Sequence, residues 1–189
     1  DRIGGAVSEA MRLYAESGDP QAAALLSERP EFVGQVRTTC VATMAQAGHA
    51  LNALPQSAKV QVNCRIFPGV KIEEVKAQLV KLIADPSATV TTLGDPVASD
   101  ASPLRADVMT AVREAIAARA PGITVMPGMS SGATDSLHFR ALGVPSYGVS
   151  SLFMKAEDGF AHGLNERVPV AGIAGALGQW DRVIRALAR

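Results

Sequence analysis

The chain has 189 residues, enough for one ordinary domain or for two small ones with a buried core. Hydrophobic residues make up 48% and charged residues 19%, a balance typical of soluble globular proteins that excludes long disordered segments. Lysine plus arginine number 18, as do aspartate plus glutamate, so no net field attracts nucleic acid or an anionic membrane surface. No apolar run approaches the roughly 20 residues that cross a bilayer. We therefore expect neither nucleic acid nor a membrane as a partner.

Helices and an antiparallel pair of strands are predicted for the first part of the chain. Gly18-Asp19-Pro20 ends one alanine-rich helix and begins the next, because proline suits the first helical turn. Apolar and polar residues then alternate strictly in a strand, which predicts a covered face made of Val60, Val62, Cys64 and Ile66. The predicted elements are two helices within 2–29, strands 36–44 and 59–66, a helix 71–84 and a strand 88–92.

A hairpin centred on Asn52 would place Cys40 opposite Cys64, since each lies 12 positions from residue 52. Two cysteines are too few for a disulfide scaffold and are wrongly spaced for a thiolate zinc site. We interpret them as small buried apolar residues. The order strand, strand, helix, strand favours an α+β sandwich of ferredoxin-like type, with an earlier strand and helix supplied upstream.

Residues 94–103 are rich in Pro, Ser, Asp and Ala, a composition typical of a linker between domains. Beyond them helices and strands alternate, which indicates an α/β arrangement. The predicted elements are helix 104–120, strand 123–126, helix 135–142, strand 144–149, loop 150–168 and helix 170–188. The last helix carries Ile173, Leu177, Trp180 and Ile184 along one apolar stripe.

Three segments concentrate glycine, hydroxyl groups and hydrogen-bonding side chains where strands give way to loops, and sites form in such places. They are residues 48–55, 130–135 and 161–168. The second would expose backbone N–H groups at a helix start, a natural seat for a substrate carboxylate. Taken alone, however, this segment is better explained as an ordinary helix cap at Thr134 or Asp135.

His162 stands in the third segment between glycines and polar residues, and a neutral imidazole is a common zinc ligand. Zinc needs three or four protein ligands. The other two histidines, His49 and His138, lie in unrelated segments. On local sequence alone, His162 is therefore better explained as a solvent-exposed histidine.

Together the segments resemble, in order and separation, the zinc-dependent family of aminoacylase, acetylornithine deacetylase and glutamate carboxypeptidase. Asn52-Ala53-Leu54-Pro55, followed by a strand ending in Arg65-Ile66-Phe67-Pro68-Gly69, is similar to the lid-domain signature. Ser131-Gly132-Ala133-Thr134-Asp135 with Leu142-Gly143-Val144-Pro145 is similar to an element of the catalytic domain. Residues 161–168 resemble the closing segment that contains the last zinc-binding histidine.

The resemblance implies a ferredoxin-like α+β lid (dimerisation) domain in residues 1–98. This domain would be joined to the C-terminal part of an α/β catalytic domain of zinc-exopeptidase type in residues 99–189. It further implies a homodimer joined through the lid domains, a two-zinc site and a small-molecule or peptide substrate with a free carboxylate. The implied reaction is hydrolysis of an amide bond in a small N-acyl amino acid or peptide.

Carried over by position, the resemblance makes His162 a zinc ligand and Glu166 the residue that orients its loop. Asn52 and Arg65 would grip the substrate carboxylate, because arginine offers a bidentate fork. The backbone of Gly132, Ala133 and Thr134 would complete that pocket.

Other hallmarks of the family are missing from residues 1–37, namely the His-x-Asp ligand segment, the Glu-Glu pair with the general base, and the lid histidine. The pair Glu73-Glu74 lies on an amphipathic helix and is interpreted as a solvated face. No catalytic residue is therefore assigned. The start at Asp1 lacks a methionine and a signal peptide, so we expect a truncated product, inactive alone and weak in zinc binding. A non-catalytic dimerisation or small-molecule-binding module, and an unrelated α/β protein with chance motifs, remain as alternatives.

Overall fold

The computed structural model describes residues 4–159 and 161–188. The chain forms two compact units, Asp1–Ala101 with Met129–Val144, and Ser102–Gly128 with Pro145–Arg189. Residues 2 and 3 of the first predicted helix, and residue 160 of the predicted loop, lie outside the described residues. The elements are α1 (Gly5–Ser17), α2 (Pro20–Ser27), α3 (Pro30–Val36), β1 (Thr39–Ala47), β2 (Ala58–Arg65), α4 (Ile72–Ile83), α5 (Ala106–Arg119), α6 (Ser136–Ala141) and α7 (Ile173–Leu187).

The first three helices share one small core in the first unit. Gly18 ends α1 in the left-handed conformation, and the Asp19 side chain accepts a hydrogen bond of 2.7 Å from the Ala22 amide at the start of α2. The break between two helices predicted at Gly18-Asp19-Pro20 is therefore confirmed. The third helix was not predicted; the Tyr14 hydroxyl ties it to α1 by donating to the Val36 carbonyl at 3.3 Å. The buried residues of this core are Val7, Ala10, Ala22 and Leu26.

Strands β1 and β2 form the antiparallel hairpin that the sequence predicted, with Cys40 opposite Cys64. The interpretation of these cysteines as buried thiols is wrong, because a disulfide joins them and Cys40 is exposed. Directly opposed residues of an antiparallel pair bring their Cβ atoms close together, which places the two sulfurs within bonding reach.

The covered face predicted for β2 forms only near the disulfide. Cys64 and Ile66 are half-buried, whereas Val60 and Val62 are 61% and 41% exposed. The reason is the position of α4, which lies beside the start of β1 across a groove lined by Cys40, Val75 and Leu79, among others.

The strand predicted at 88–92 does not form, since these residues make no ladder; within the described residues the sheet has two strands. A two-stranded antiparallel sheet with helices is compatible with an α+β lid. The ferredoxin-like topology stays a prediction, and so does the division of function at residues 98 and 99.

In the second unit α5 packs against α7. The strands predicted at 123–126 and 144–149 do not form, because neither makes a ladder within the described part of the chain. Val125, Tyr147 and Val149 from these segments nevertheless pack on the core, and the Tyr147 hydroxyl donates to the Pro103 carbonyl at 2.6 Å. The α/β catalytic domain therefore stays a prediction. The buried residues are Val108, Val112, Ala115, Ile116 and Val183, with Val125, Tyr147 and Val149 against them.

The buried face of helix α7 is not the face predicted from its large apolar residues. Ala176, Gln179 and Val183 are buried, whereas the predicted stripe is 37–67% exposed. On this buried face the Arg119 guanidinium of α5 donates a hydrogen bond to the Gln179 side chain. Within the described residues no helix combines the length and the apolarity needed to cross a membrane.

Candidate functional site

Arg65 lies at the end of β2, opposite Thr39, and its side chain meets the second of the predicted segments. Its Nη1 donates to the Ser131 carbonyl at 2.7 Å. The next amide, that of Gly132, donates to the Ser130 hydroxyl at 3.2 Å. The first unit thus brings Arg65 to Ser131 and Gly132; these residues are exposed, as are Ala133 and Thr134, which follow in the chain.

The guanidinium of Arg65 differs from several other exposed arginines in having no acidic partner within the described residues. Arg12 pairs with Glu9, and Arg105 with Asp107, at 2.5–2.6 Å. The Arg105 hydrogen bond holds the pKa of the Asp107 carboxyl below its usual value. Arg65 is held by a neutral carbonyl, so its charge is not compensated there. A carboxylate is the ligand that such a group binds best.

Asn52 lies in the exposed turn between the two strands, far from Arg65. The register places Ala47 opposite Ala58 next to this turn and Thr39 opposite Arg65 at the other end. Seven residue steps along β2 span about 23 Å. Within one chain the structure therefore does not bring Asn52 and Arg65 to the same carboxylate.

His162 and Glu166 meet in the loop of the second unit. The His162 backbone N–H donates to the Glu166 carboxylate at 3.3 Å, and the Glu166 N–H donates to the Gly163 carbonyl at 3.1 Å. His162 itself has a left-handed backbone (φ 64°), which is uncommon for a residue other than glycine. The imidazole is exposed at the tip of a loop that its own hydrogen bonds hold in shape.

A second group of contacts, absent from the sequence-based prediction, holds the start of this loop. The Arg119 guanidinium on α5 donates to the Ser151 carbonyl and to the Gln179 side chain, and it lies 4.1 Å from the centre of the Phe153 ring. Gln179 in turn donates to the Ser150 carbonyl at 2.9 Å. The one feature of the sequence that could have indicated these contacts is Gln179, a polar residue beside the apolar positions of the last helix.

Sequence reasoning also did not single out Ser130 and Ser131, although both stand in the predicted segment. The Ser130 hydroxyl accepts from Gly132, and the Ser131 carbonyl accepts from Arg65. Which carbonyl faces an arginine 66 positions away depends on tertiary structure, and no local pattern reports it.

The described residues do not by themselves fit a zinc site. Among them, no three His, Cys, Asp or Glu side chains lie close enough to share a metal ion. The Glu166 carboxylate already accepts the His162 amide, and zinc requires three or four protein ligands. We therefore derive no chemical step of this chain through zinc.

A hairpin flanked by helices, with an exposed arginine at its open end, defines a small domain of helices and one antiparallel sheet. The family description "peptidase dimerisation domain" (M20) matches residues 5–91. The N-fatty-acyl-amino acid synthase/hydrolases PM20D1 of Bos taurus and Xenopus tropicalis are 30% and 31% identical over 139 and 149 residues. These alignments cover 71% and 76% of this chain and 28% of either relative.

The probable carboxypeptidase S-like 2 of Dictyostelium discoideum is 23% identical over 158 residues, which are 80% of this chain and 30% of that protein. The chain belongs to the M20 metallopeptidase family. The resemblance found in the sequence motifs is thereby confirmed. The chain spans less than a third of the length of these curated relatives. No solved structure gives a significant match.

Proposed function

We propose that this chain supplies the dimerisation domain and the substrate-carboxylate site of a hydrolase that cleaves the amide bond of small N-acyl amino acids or peptides. The observation that carries the proposal is the exposed Arg65, anchored on the Ser131 carbonyl and unpaired with any acid of the described chain. The names of the relatives support it, because an N-fatty-acyl amino acid and a carboxypeptidase substrate each combine an amide bond with a free carboxylate.

The geometry near Arg65 suits a carboxylate for two reasons. A guanidinium has five N–H donors, and the Ser131 carbonyl accepts one of them, which leaves donors for a ligand. Gly132 lies beside the guanidinium and adds no side chain there, since a Cβ at this position would stand in ordinary contact, 3.8 Å from the Arg65 Nη1. In our proposal the amides of Ala133 and Thr134 meet the second carboxylate oxygen, and Gly132 contributes space.

Asn52 takes part only in a homodimer. Because the turn and the open end of the hairpin lie about 23 Å apart, Asn52 and Arg65 can hold the same carboxylate only if they come from two copies. A peptidase dimerisation domain supplies the means of pairing those copies. We therefore propose that Asn52 of one protomer serves the Arg65 site of its partner.

His162 is proposed as the zinc ligand that this chain contributes to a larger site, with Glu166 holding the loop. The chain alone then binds zinc weakly and shows no amide hydrolysis. Equilibrium dialysis against zinc followed by metal analysis tests this point, and stoichiometric tight binding would contradict it. Upstream DNA that encodes His-x-Asp and Glu-Glu segments would favour the enzyme over a non-catalytic module.

Calorimetric titration with N-hexanoylglycine, and with N-hexanoylglycinamide as the uncharged analogue, tests the carboxylate site. We expect the acid to bind and the amide to bind at least tenfold more weakly, because a charge-assisted pair is lost. Arg65→Gln should remove that difference. Arg113→Gln, which changes an exposed arginine on α5, should preserve it. Equal affinity of the acid and the amide for the unaltered chain would refute the site.

Mixed dimers test the partner role of Asn52. Neither Asn52→Ala nor Arg65→Gln alone should bind N-hexanoylglycine at full strength. A heterodimer of the two variants keeps one intact site, so mixing them should restore one strong site per heterodimer. If sedimentation shows a dimer and no site returns, the partner role of Asn52 is wrong.

A further inference from the structure

The contact between α3 and the segment that anchors Arg65 is unusually close, and it depends on a glycine. A Cβ built on Gly34 would lie 2.5 Å from the Cβ of Ser131 and 3.1 Å from its hydroxyl oxygen. Real Cβ atoms essentially never approach closer than 3.0 Å. The obstacle is an atom attached directly to the Ser131 backbone, so no rotation of the serine side chain can relieve it.

Ser131 is the residue whose carbonyl holds the Arg65 guanidinium at 2.7 Å. Restoring an ordinary contact distance of 3.4 Å at position 34 requires a movement of about 0.9 Å, since 3.4 − 2.5 = 0.9. If Ser131 withdraws by that amount along the hydrogen bond, the 2.7 Å contact becomes about 3.6 Å, beyond the limit of a hydrogen bond. If the guanidinium follows, it leaves the position in which it meets a ligand.

We infer that Gly34 is a positioning residue of the carboxylate site: its missing side chain lets α3 press the 130–132 segment into the place from which Ser131 anchors Arg65. This inference rests on the proposed function, because the ligand is the carboxylate proposed for that site. Glycine inside a helix costs about 1 kcal/mol relative to alanine. In the seven-residue α3 the close approach of Ser131 supplies a physical reason for it.

Moving the Cβ from one side of the contact to the other gives a sharp experiment. The test variant is Gly34→Ala. The double variant Gly34→Ala, Ser131→Gly removes the obstructing Cβ and should rescue the site. The double variant Gly34→Ala, Ser131→Ala keeps that Cβ and should not. Gly178→Ala is the matched control, because that helical glycine has nothing within 4 Å of a built Cβ. The readouts are the NMR signals of the Arg65 Nε–H and the 130–134 amides, and the affinity for N-hexanoylglycine.

We expect Gly34→Ala to shift the Arg65 Nε–H signal and to weaken N-hexanoylglycine binding about tenfold, the loss of one hydrogen-bonded anchor of a charged group. Adding Ser131→Gly to Gly34→Ala should restore both readouts. Adding Ser131→Ala should leave both readouts as they are in Gly34→Ala. The control Gly178→Ala should behave like the unaltered chain. In an Arg65→Lys background Gly34→Ala should have little further effect on affinity. This last readout separates positioning of Arg65 from a general loss of structure.

Several outcomes overturn the inference. They are an unshifted Arg65 signal in folded Gly34→Ala, equal rescue by Ser131→Gly and Ser131→Ala, and an undiminished effect of Gly34→Ala in the Arg65→Lys background. Should Gly34→Ala fail to fold, a folded and binding Ser131→Gly double variant still supports it, and an unfolded double variant refutes it. If the unaltered chain binds no N-hexanoylglycine, the proposed function fails, while the Arg65 signal still decides the role of Gly34.

Discussion

The disulfide between Cys40 and Cys64 yields a stability prediction that can be worked out from chain length. The cross-link closes a loop of 25 residues, because the sequence separation is 24. The chain-entropy relation then gives about −12 cal/mol/K for the unfolded state, or about 3.5 kcal/mol at 25 °C. A two-stranded hairpin is only marginally stable by itself, so this is a large contribution for the first unit.

The perturbation is the double variant Cys40→Ser, Cys64→Ser, compared with the unaltered chain before and after reduction by dithiothreitol. With an m-value of about 2 kcal/mol/M, the urea midpoint of the hairpin should fall by about 1.7 M. Reduction should have the same effect on the unaltered chain and none on the variant. A signal from the first unit alone, such as backbone amides of β1 and β2, reports the transition.

The loss should be greatest where the cross-link lies. The cross-link lies at the open end of the hairpin, because Cys64 is followed by Arg65, which pairs with Thr39. Amide exchange in the double variant should accelerate there more than at the turn end. Equal urea midpoints with and without dithiothreitol, in protein shown by thiol titration to be oxidised at the start, would refute the reasoning.

Two further variants test local contacts. Gly175→Ala should destabilise the second unit by about 1–3 kcal/mol in thermal unfolding. A Cβ there would lie 2.7 Å from the Arg119 Nε, and the guanidinium cannot move away without losing its hydrogen bonds to the Ser151 carbonyl and the Gln179 side chain. Gly178→Ala should not destabilise the unit, because a Cβ there has nothing within 4 Å. The side-chain and backbone hydrogen bonds of Ser87 lower the Asp85 pKa. Ser87→Ala should raise that pKa, seen by carboxyl NMR titration. The pKa of the Asp85 carboxyl is lower in the folded chain than in the unfolded chain, so this carboxyl stabilises the fold at pH values above its unfolded pKa. That stabilisation is lost as the pH falls through the folded pKa. An Asp85 titration that does not move in Ser87→Ala would contradict this reasoning.

Local patterns were sufficient for the elements whose cause is local. The break at Gly18-Asp19-Pro20 is predictable because glycine, a capping aspartate and proline each favour one position at a helix boundary. The pairing of Cys40 with Cys64 followed from symmetry about the turn, since antiparallel strands pair at equal distances from it. Amphipathic spacing located α4 to within one residue of its ends.

Patterns failed where the outcome depends on partners elsewhere in the chain. Residues 88–92, 123–126 and 144–149 contain the β-branched and apolar residues that predict strands, yet a strand exists only where another backbone accepts its hydrogen bonds. The large residues of α7 marked the wrong face, because the helix packs through Ala176 and Val183 beside the bond between Gln179 and Arg119.

The sequence by itself determined the family, the helix break at Gly18-Asp19-Pro20 and the pairing of Cys40 with Cys64, and it supplied the candidate residues for carboxylate and metal binding. These properties depend on residue type and spacing along the chain. Only the tertiary structure decided that Arg65 meets Ser131 and that the missing side chain of Gly34 makes room for Ser131. Such contacts join residues tens of positions apart, and chain folding, which no local pattern encodes, sets their distances.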